Sequence, residues 1–274
     1  MTIQIRGREI QCIASDIDFT LINRDGVLLP NTKAQLLSFQ KNGGKIALIS
    51  GRLVGGVISY AKELMLSQYG GVIVGGNGAQ IYDVAQDRYL EDQKMEKEEC
   101  ARLVATLKEW PGDIAFYSQD NLLVSPESRS DFSVFAERNH LHFRKLQLDR
   151  VDFSKIRKVL FAVRGKTVEK ELPSLRKSFS TLNITRSGPA VLEITDGTRT
   201  KGDGLKAAAQ FQGVAIENTM AFGDAENDLP MFAAAGISVA MKNAAPDIQR
   251  VCDFVTMDTH QDDGIGNFLS AYQK

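Results

Sequence analysis

Two aspartates, Asp16 and Asp18, follow an apolar run in the segment IASDIDFTLIN. Carboxylates are unusual at the end of a segment typical of a buried strand, where a polar group needs a partner. Residues i and i+2 of an extended segment face the same side. Both carboxylates can therefore act on one bound group, and the pair is a candidate for nucleophilic and acid–base catalysis.

Further polar residues stand where other strand-like runs end. They are Thr20 after the first run, Ser50, Gly51 and Arg52 after KIALI, and Asp224, Asn227 and Asp228 after TMAFG. Lys201, in RTKGDGL, precedes a predicted helix. Because the carboxyl ends of parallel strands meet at one edge, ligands of an open α/β sheet bind there. The sequence therefore predicts one functional site built from distant segments.

Carboxylates gathered at such an edge repel one another unless a cation or a proton lies between them. A ligand set made only of oxygen suits Mg²⁺. Ser50, the backbone N–H of Gly51 and the ammonium of Lys201 suit an anion, most naturally a phosphoryl group. These features predict phosphoryl transfer through an aspartyl-phosphate.

Strand-like and helix-like patterns alternate in the first and last thirds of the chain, which is typical of a doubly wound, mostly parallel, Rossmann-like α/β sheet. Between them, strand-like runs such as AFYS, NLLVS and KVLFAV follow one another closely. This pattern predicts an α+β insert with antiparallel strands. The expected organisation is a discontinuous core of residues 1–81 and 195–274, with an inserted domain of residues 82–194.

Local signals set expectations for the elements near the site. Asn31 or Thr32 is expected to cap a helix that stops at Gly43. LVGGVISYAKELMLSQYG has a helical period in spite of two adjacent glycines, and NRDG is typical of a hairpin turn. The glycines of GVIVGGNGA invite comparison with a dinucleotide-binding loop. However, AQIYD continues as a strand where that motif needs a helix.

The composition is that of an ordinary soluble protein of 274 residues, 43% hydrophobic and 24% charged, with a net charge of −1. This balance argues against a nucleic-acid partner, and no run approaches the ~20 apolar residues of a membrane span. Three cysteines without a CxxC pair, and no signal-peptide pattern in MTIQIRGREIQ, predict reduced thiols and a cytoplasmic protein. His140 and His142 lack a third metal ligand at a suitable spacing.

Four motifs, DIDFTL, SGR, KGDGL and GDAENDLPM, stand in this order, with the insert between the second and the third. Together they resemble the haloacid dehalogenase (HAD) superfamily, and within it the Cof-type phosphatases with a large α/β cap. GNGA, VAMKNA and DDGI extend the resemblance over nearly the whole chain. It implies a HAD-like core, a cap formed by the insert, and a Mg²⁺-dependent phosphatase of small metabolites such as sugar phosphates or phosphorylated cofactors.

The resemblance also implies a role for each matching residue. Asp16 is the expected nucleophile and a Mg²⁺ ligand. Asp18 is the expected general acid and then base, its carbonyl oxygen a second ligand, and Asp224 supplies the third. The residues expected to hold the phosphoryl group or the metal shell are Ser50, Gly51, Lys201, Asn227 and Asp228, with Thr20 and Arg52 in support.

Three questions stay open at this point. A phosphomutase, or a dedicated sugar-phosphate phosphatase of a sister family, would share these motifs, as would a weakly active regulatory relative. Phe19 stands where most Cof-type relatives carry glycine, and its ring either contacts the substrate, turns into the interface with the cap or packs under the neighbouring hairpin. The chain is expected to act as a monomer or a homodimer.

Overall fold

The computed structural model describes residues 3–164, 167–186 and 190–272. It divides into two compact units, a core unit of Met1–Asp92 and Arg199–Lys274 and an insert unit of Gln93–Thr198. No helix within the described ranges has the length and hydropathy that crossing a membrane requires. Cys12, Cys100 and Cys252 are free thiols, as predicted.

Both units combine strands with helices. In chain order the strands are β1 (Ile3–Ile5), β2 (Arg8–Ile10), β3 (Cys12–Ser15), β4 (Lys45–Ile49), β5 (Val72–Gly75), β6 (Gln80–Asp83), β7 (Arg88–Asp92), β8 (Gly112–Ser118), β9 (Asn121–Val124), β10 (His142–Lys145), β11 (Ile156–Val163), β12 (Leu182–Arg186), β13 (Val191–Asp196), β14 (Thr219–Gly223), β15 (Ile237–Ala240) and β16 (Phe254–Val255). The helices are α1 (Pro30–Lys41), α2 (Ile58–Glu63), α3 (Leu66–Tyr69), α4 (Lys97–Lys108), α5 (Ser133–Arg138), α6 (Thr167–Ser178), α7 (Lys201–Phe211), α8 (Leu229–Ala234), α9 (Pro246–Arg250) and α10 (Gly264–Ala271).

The main sheet of the core unit has the strand order β16-β15-β14-β3-β4-β5-β6-β7. The pairs from β16 to β5 are parallel, and β6 and β7 continue the sheet as antiparallel strands. The strand β3 lies in the middle, between β14 and β4. The predicted α/β fold with a doubly wound, mostly parallel sheet is confirmed.

The sequence of β3 explains its central place, because all four of its residues are buried. Ile13 faces the apolar layer that contains Leu36 of α1 and Leu269 of α10. Cys12 and Ala14 face the opposite layer, with Leu205 of α7. Side chains of a strand alternate between faces, so a strand that is buried at every position needs layers packed on both sides of the sheet.

The boundary of the insert differs from the prediction of residues 82–194. Tyr82 lies in β6, which pairs with β5, and β7 pairs in turn with β6. These two strands therefore extend the core sheet, and the compact insert unit begins at Gln93 and ends at Thr198. The prediction assigned the hairpin to the insert because AQIYD alone does not show which sheet a strand joins.

The insert unit is an α+β unit whose sheet has the order β10-β9-β8-β11-β13-β12. Its neighbouring strands are antiparallel except β9 and β10, which run parallel. Leu103 of α4, Leu175 of α6 and Phe161 of β11 belong to one apolar cluster on a face of this sheet. His140 and His142 are exposed.

Two helical predictions in the core unit are wrong in detail. The first helix begins at Pro30, so neither Asn31 nor Thr32 caps it with its side chain. The segment after β4 forms a 3₁₀ turn at Val54–Gly56 and then two short helices, which are separated where Met65 adopts a left-handed conformation with φ 55°. The NRDG hairpin is present as a turn closed by one isolated bridge between Ile22 and Leu28.

The carboxylate of Asp263, in the DDGI motif, supplies the missing cap of α1. It accepts hydrogen bonds from the backbone N–H groups of Asn31 at 3.3 Å and Thr32 at 2.7 Å. The first N–H groups of a helix have no partner inside it, so an acceptor from another segment stabilises the helix start. The last helix of the chain is thereby joined to the first.

We expect Asp263→Ala to lower the free energy of unfolding by about 1–2 kcal/mol, because two N–H groups lose their acceptor. Asp263 also has φ 58°, a conformation that asparagine tolerates better than alanine. Asp263→Asn should therefore cost less than Asp263→Ala. Urea denaturation of the three proteins measures both values, and equal stabilities would contradict the capping role.

Candidate active site

The site begins where β3 ends. The backbone N–H of Asp16 donates to the carbonyl of Phe222 in β14 at 3.0 Å, so the chain is still held to the sheet at this residue. β3 pairs in register with both β4 and β14. The segments that follow these strands therefore emerge at one edge of the sheet, as the sequence predicted.

Lys201 is the centre of the site. Its Nζ lies 2.6 Å from Oδ1 of Asp16 and 2.6 Å from Oδ1 of Asp228. Lys201 is 1% exposed, Asp228 0% and Asp16 7%. A buried ammonium with two carboxylate partners has the compensation that burial of a charge requires.

Glycines in KGDGL let α7 approach its neighbours closely enough to place Lys201. A Cβ at Gly202 would lie 2.3 Å from the carbonyl oxygen of Pro230 in α8, and one at Gly204 would lie 2.4 Å from Cγ1 of Val74 in β5. A capping box between Thr200 and Asp203 fixes the first turn. The motif therefore specifies a tightly packed helix start that carries a lysine.

Asp228 is fixed by its second oxygen as well. Oδ2 accepts hydrogen bonds from the backbone N–H groups of Asp224 at 2.9 Å and Ala225 at 3.0 Å. A Cβ at Gly223 would lie 2.5 Å from Cγ of Asp228, so only glycine allows this approach. Asp228 thus orients both Lys201 and the loop that carries Asp224.

Asp16, Asp224 and Asp228 form a cluster in which one carboxylate oxygen of each lies within 4.8 Å of the others. Oδ1 of Asp224 accepts a hydrogen bond from the hydroxyl of Thr20 at 2.8 Å. Among the described residues, no hydrogen bond occupies Oδ2 of Asp16 or Oδ2 of Asp224. Two buried or half-buried carboxylates therefore each keep an oxygen that can bind a cation.

The electrostatics of the cluster follow from three carboxylates around one ammonium. Burial raises the pKa of Asp16 to about 8, and the charges of Asp228 and Asp224 add to this, while Lys201 opposes it. Burial also raises the pKa of Asp224 to about 6, against the hydrogen bond from Thr20. Burial alone would lower the pKa of Lys201, but Asp16 and Asp228 raise it above its usual value. The cluster therefore favours additional positive charge, as a proton or a cation.

Asp18 does not join this cluster, since its carboxylate faces Arg52. Nε of Arg52 lies 2.8 Å from Oδ2 of Asp18, and Nη2 lies 2.6 Å from Oδ1. Arg52 also donates from Nη1 to the carbonyl of Gly56 at 3.2 Å and lies over the ring of Tyr60. Arg52 and Asp18 therefore form a two-point ion pair.

Ser50 and Asn227 are linked through Asn77, which lies in the GNGA motif but was not among the predicted site residues. The N–H of Asn77 donates to the carbonyl of Ser50 at 3.0 Å, and its Oδ1 accepts from Nδ2 of Asn227 at 3.1 Å. Asn77 has φ 57°, and a Cβ at Gly51 would lie 3.3 Å from its Oδ1. Its place in the glycine-rich GGNGA turn was the available signal, because asparagine tolerates this conformation.

Comparison with known proteins identifies the family. The profile of the haloacid dehalogenase-like hydrolases matches residues 13–269. The chain belongs to this family. The resemblance to the haloacid dehalogenase superfamily and the prediction of a hydrolytic enzyme are thereby confirmed.

Individual relatives match the HAD chain over nearly its full length. The Bacillus subtilis protein YxeH, which carries a phosphatase name without a substrate, is 28% identical over 253 residues, 91% of this chain and 93% of its own. The Bacillus subtilis 5-amino-6-(5-phospho-D-ribitylamino)uracil phosphatase YcsE is 26% identical and covers 98% of both chains. A haloacid dehalogenase-like hydrolase from Bacteroides thetaiotaomicron has the same fold, with a TM-score of 0.82, 24% identity, and coverage of 96% and 99%.

We expect the metal-free protein to lose stability as pH rises from about 4 to about 8. The pKa values of Asp16, about 8, and Asp224, about 6, lie above the ordinary value of 3.8. The folded chain therefore binds more protons than the unfolded chain in this window, and the free energy of unfolding falls as these protons are lost.

Urea denaturation in the presence of a chelator, at several pH values, measures this dependence. Asp16→Asn keeps the side-chain volume but cannot ionise, so its stability should change less with pH than that of the wild type. Titrating groups outside the cluster are shared by the two proteins and cancel in the comparison. Parallel pH dependences would show that Asp16 does not carry a raised pKa.

Proposed function

We propose that this HAD hydrolase is a Mg²⁺-dependent phosphatase that hydrolyses small phosphorylated metabolites through an aspartyl-phosphate on Asp16. The observation that supports it most is the buried ammonium of Lys201, which holds Asp16 and Asp228 beside Asp224 at the carboxyl edge of the sheet. The phosphatase names of the two Bacillus relatives support the same reaction. YcsE by its name acts on a phosphorylated ribityl compound, which supports a small-metabolite substrate.

The residues present fit a magnesium ion. The free oxygens of Asp16 and Asp224 are hard carboxylate donors in a cluster with excess negative charge, and the backbone carbonyl of Asp18 is the third proposed ligand. When bound, Mg²⁺ would neutralise charge on the phosphoryl oxygens and on the attacking carboxylate. Both side-chain oxygens of Asp228 already accept hydrogen bonds, which suits it to orienting its neighbours.

The chain's own residues then account for both chemical steps. An oxygen of Asp16 attacks phosphorus, the bond from phosphorus to the leaving oxygen breaks, and Asp18 donates its proton to that oxygen. Water next attacks phosphorus and gives a proton to Asp18, the bond to Asp16 breaks, and phosphate leaves. Lys201, Ser50, the Gly51 N–H and Asn227 are the proposed donors to the phosphoryl oxygens.

The ion pair with Arg52 bears on the second step. Asp18 is held as a carboxylate, which is the form that accepts the proton of water. To protonate a leaving oxygen in the first step, Asp18 has to carry a proton and direct it away from Arg52. We therefore assign Arg52 a positioning role, exerted through Asp18.

The first test is turnover of p-nitrophenyl phosphate and a panel of phosphorylated metabolites with Mg²⁺. Asp16→Asn should remove detectable turnover while the protein stays folded, and excess chelator should do the same to the wild type. Asp18→Asn should lose about 10²–10⁴-fold in kcat, since it can neither donate nor accept the proton. Asp247→Asn, on the exposed start of α9, is the matched control and should be unaffected.

Full activity of Asp16→Asn, or of the chelated enzyme, would reject the aspartyl-phosphate mechanism. Transfer of the phosphoryl group to a second sugar hydroxyl, in place of phosphate release, would identify a mutase. Acid quench of the wild type during turnover should recover a covalent phosphoryl group, and Asp16→Asn should yield none.

We further expect Arg52→Lys to lower kcat about tenfold with KM nearly unchanged, because lysine keeps the charge but not the two parallel hydrogen bonds. The Mg²⁺ concentration for half-maximal activity should stay the same, since Arg52 contacts none of the three clustered carboxylates. Arg250→Lys, on the exposed end of α9, is the control. A kcat equal to that of the wild type would contradict the positioning role.

A further inference from the structure

Phe19 occupies a costly backbone conformation between two residues of the site. It has φ 60°, in the left-handed region that a residue with a bulky side chain rarely adopts. Asp18 before it pairs with Arg52, and Thr20 after it donates to Asp224. The backbone at Phe19 is therefore determined by its neighbours.

The ring of Phe19 is not part of the hydrophobic core. It is 52% exposed, whereas Leu21, Ile22 and Leu28 of the adjacent hairpin are buried in the main apolar cluster without it. The alternative in which this ring packs under the hairpin is therefore wrong. A half-exposed aromatic ring gains less from packing than a buried one to offset an unfavourable backbone conformation, and such outliers point to function.

Asn243 ties Phe19 to His260. Its Nδ2 donates to the carbonyl of Phe19 at 2.9 Å, and its Oδ1 accepts from the backbone N–H of His260 at 3.1 Å. The two rings meet edge to face, with centroids 5.5 Å apart and planes at 82°. The exposed ring is thus held at its backbone and along one side, which limits its freedom before any ligand binds.

The ring of His260, on which the ring of Phe19 packs, is an apolar contact surface. The His260 ring is buried, and neither ring nitrogen has a hydrogen-bond partner among the described residues. Burial, helped by the charge of Arg24, lowers its pKa, so the imidazole is neutral near pH 7. The exposed face of the Phe19 ring is therefore available to a ligand. Phe19 directly follows Asp18, the residue proposed to protonate the leaving oxygen.

We propose that Phe19 is a specificity-determining residue that contacts the leaving alcohol, and that the enzyme favours phosphate monoesters whose alcohol carries a flat ring. This inference rests on the proposed phosphatase function, because it places the leaving group beside Asp18. Offset or edge-on contact between two rings is favourable beyond the burial of area, and a saturated ring of similar size lacks that contribution. Asn243 and His260 are positioning residues for the ring.

The test compares benzyl phosphate with cyclohexylmethyl phosphate and ethyl phosphate, all esters of primary alcohols, with the Mg²⁺-loaded enzyme. Phe19→Gly should lower kcat/KM for benzyl phosphate about three- to tenfold and leave ethyl phosphate nearly unchanged. Phe19→Tyr keeps the ring and should retain the preference. Phe211→Ala, which removes another exposed ring of the core unit, is the control and should change no ratio.

Two results would overturn the proposal. One is an equal fall for all three esters together with a lower melting temperature, which would make the ring a packing element. The other is an unchanged preference in Phe19→Gly with full activity. The dissociation constants of benzylphosphonate and ethylphosphonate, measured by calorimetry, test the contact with the ring of Phe19 independently of turnover. Absence of hydrolysis by the wild type would therefore reject the proposed function. The ring contact would still be supported if the wild type binds benzylphosphonate more tightly than ethylphosphonate and Phe19→Gly loses this preference.

Discussion

The buried ammonium of Lys201 is the interaction on which the site depends. It lies 2.6 Å from two carboxylates that come from opposite ends of the chain's sequence, Asp16 after β3 and Asp228 before α8. Loss of one member of a buried ion pair typically costs about 3–5 kcal/mol, because the remaining charge has no compensation. The spacing of α7 from the sheet, the glycines that allow it and the hydrogen bonds of Asp228 all serve this contact.

The charges of the cluster around Lys201 do not balance. Three carboxylates surround one ammonium, and burial together with the neighbouring carboxylates raises the pKa values of Asp16 and Asp224. A site of this kind gains most from a ligand that brings positive charge. It then becomes suited to a phosphoryl group, whose own negative charge would otherwise be repelled.

Much of this arrangement could be predicted from the sequence, for identifiable reasons. The strand ends carry polar residues in DIDFTL, SGR and GDAENDLPM, and strand position alone brings Asp16, Ser50 and Asp224 to one edge. What could not be predicted depends on contacts between distant segments. The cap of α1 comes from Asp263, more than 200 residues away, and the sheet joined by β6 and β7 depends on pairing that their own sequence does not specify. The roles of the individual site residues stay predictions until the variants are measured.

The order of strands has a consequence for synthesis of the chain. β3 is made early, but β14, its neighbour on one side, follows only after the whole insert unit has been translated. The sheet of the insert unit comes from one continuous segment, so it can fold while the core is still incomplete. Until residues 219–223 leave the ribosome, β3 keeps an apolar, unpaired edge, the kind of surface that invites wrong association. A nascent chain of this protein is thus most prone to wrong association after the insert unit has folded and before β14 has paired with β3.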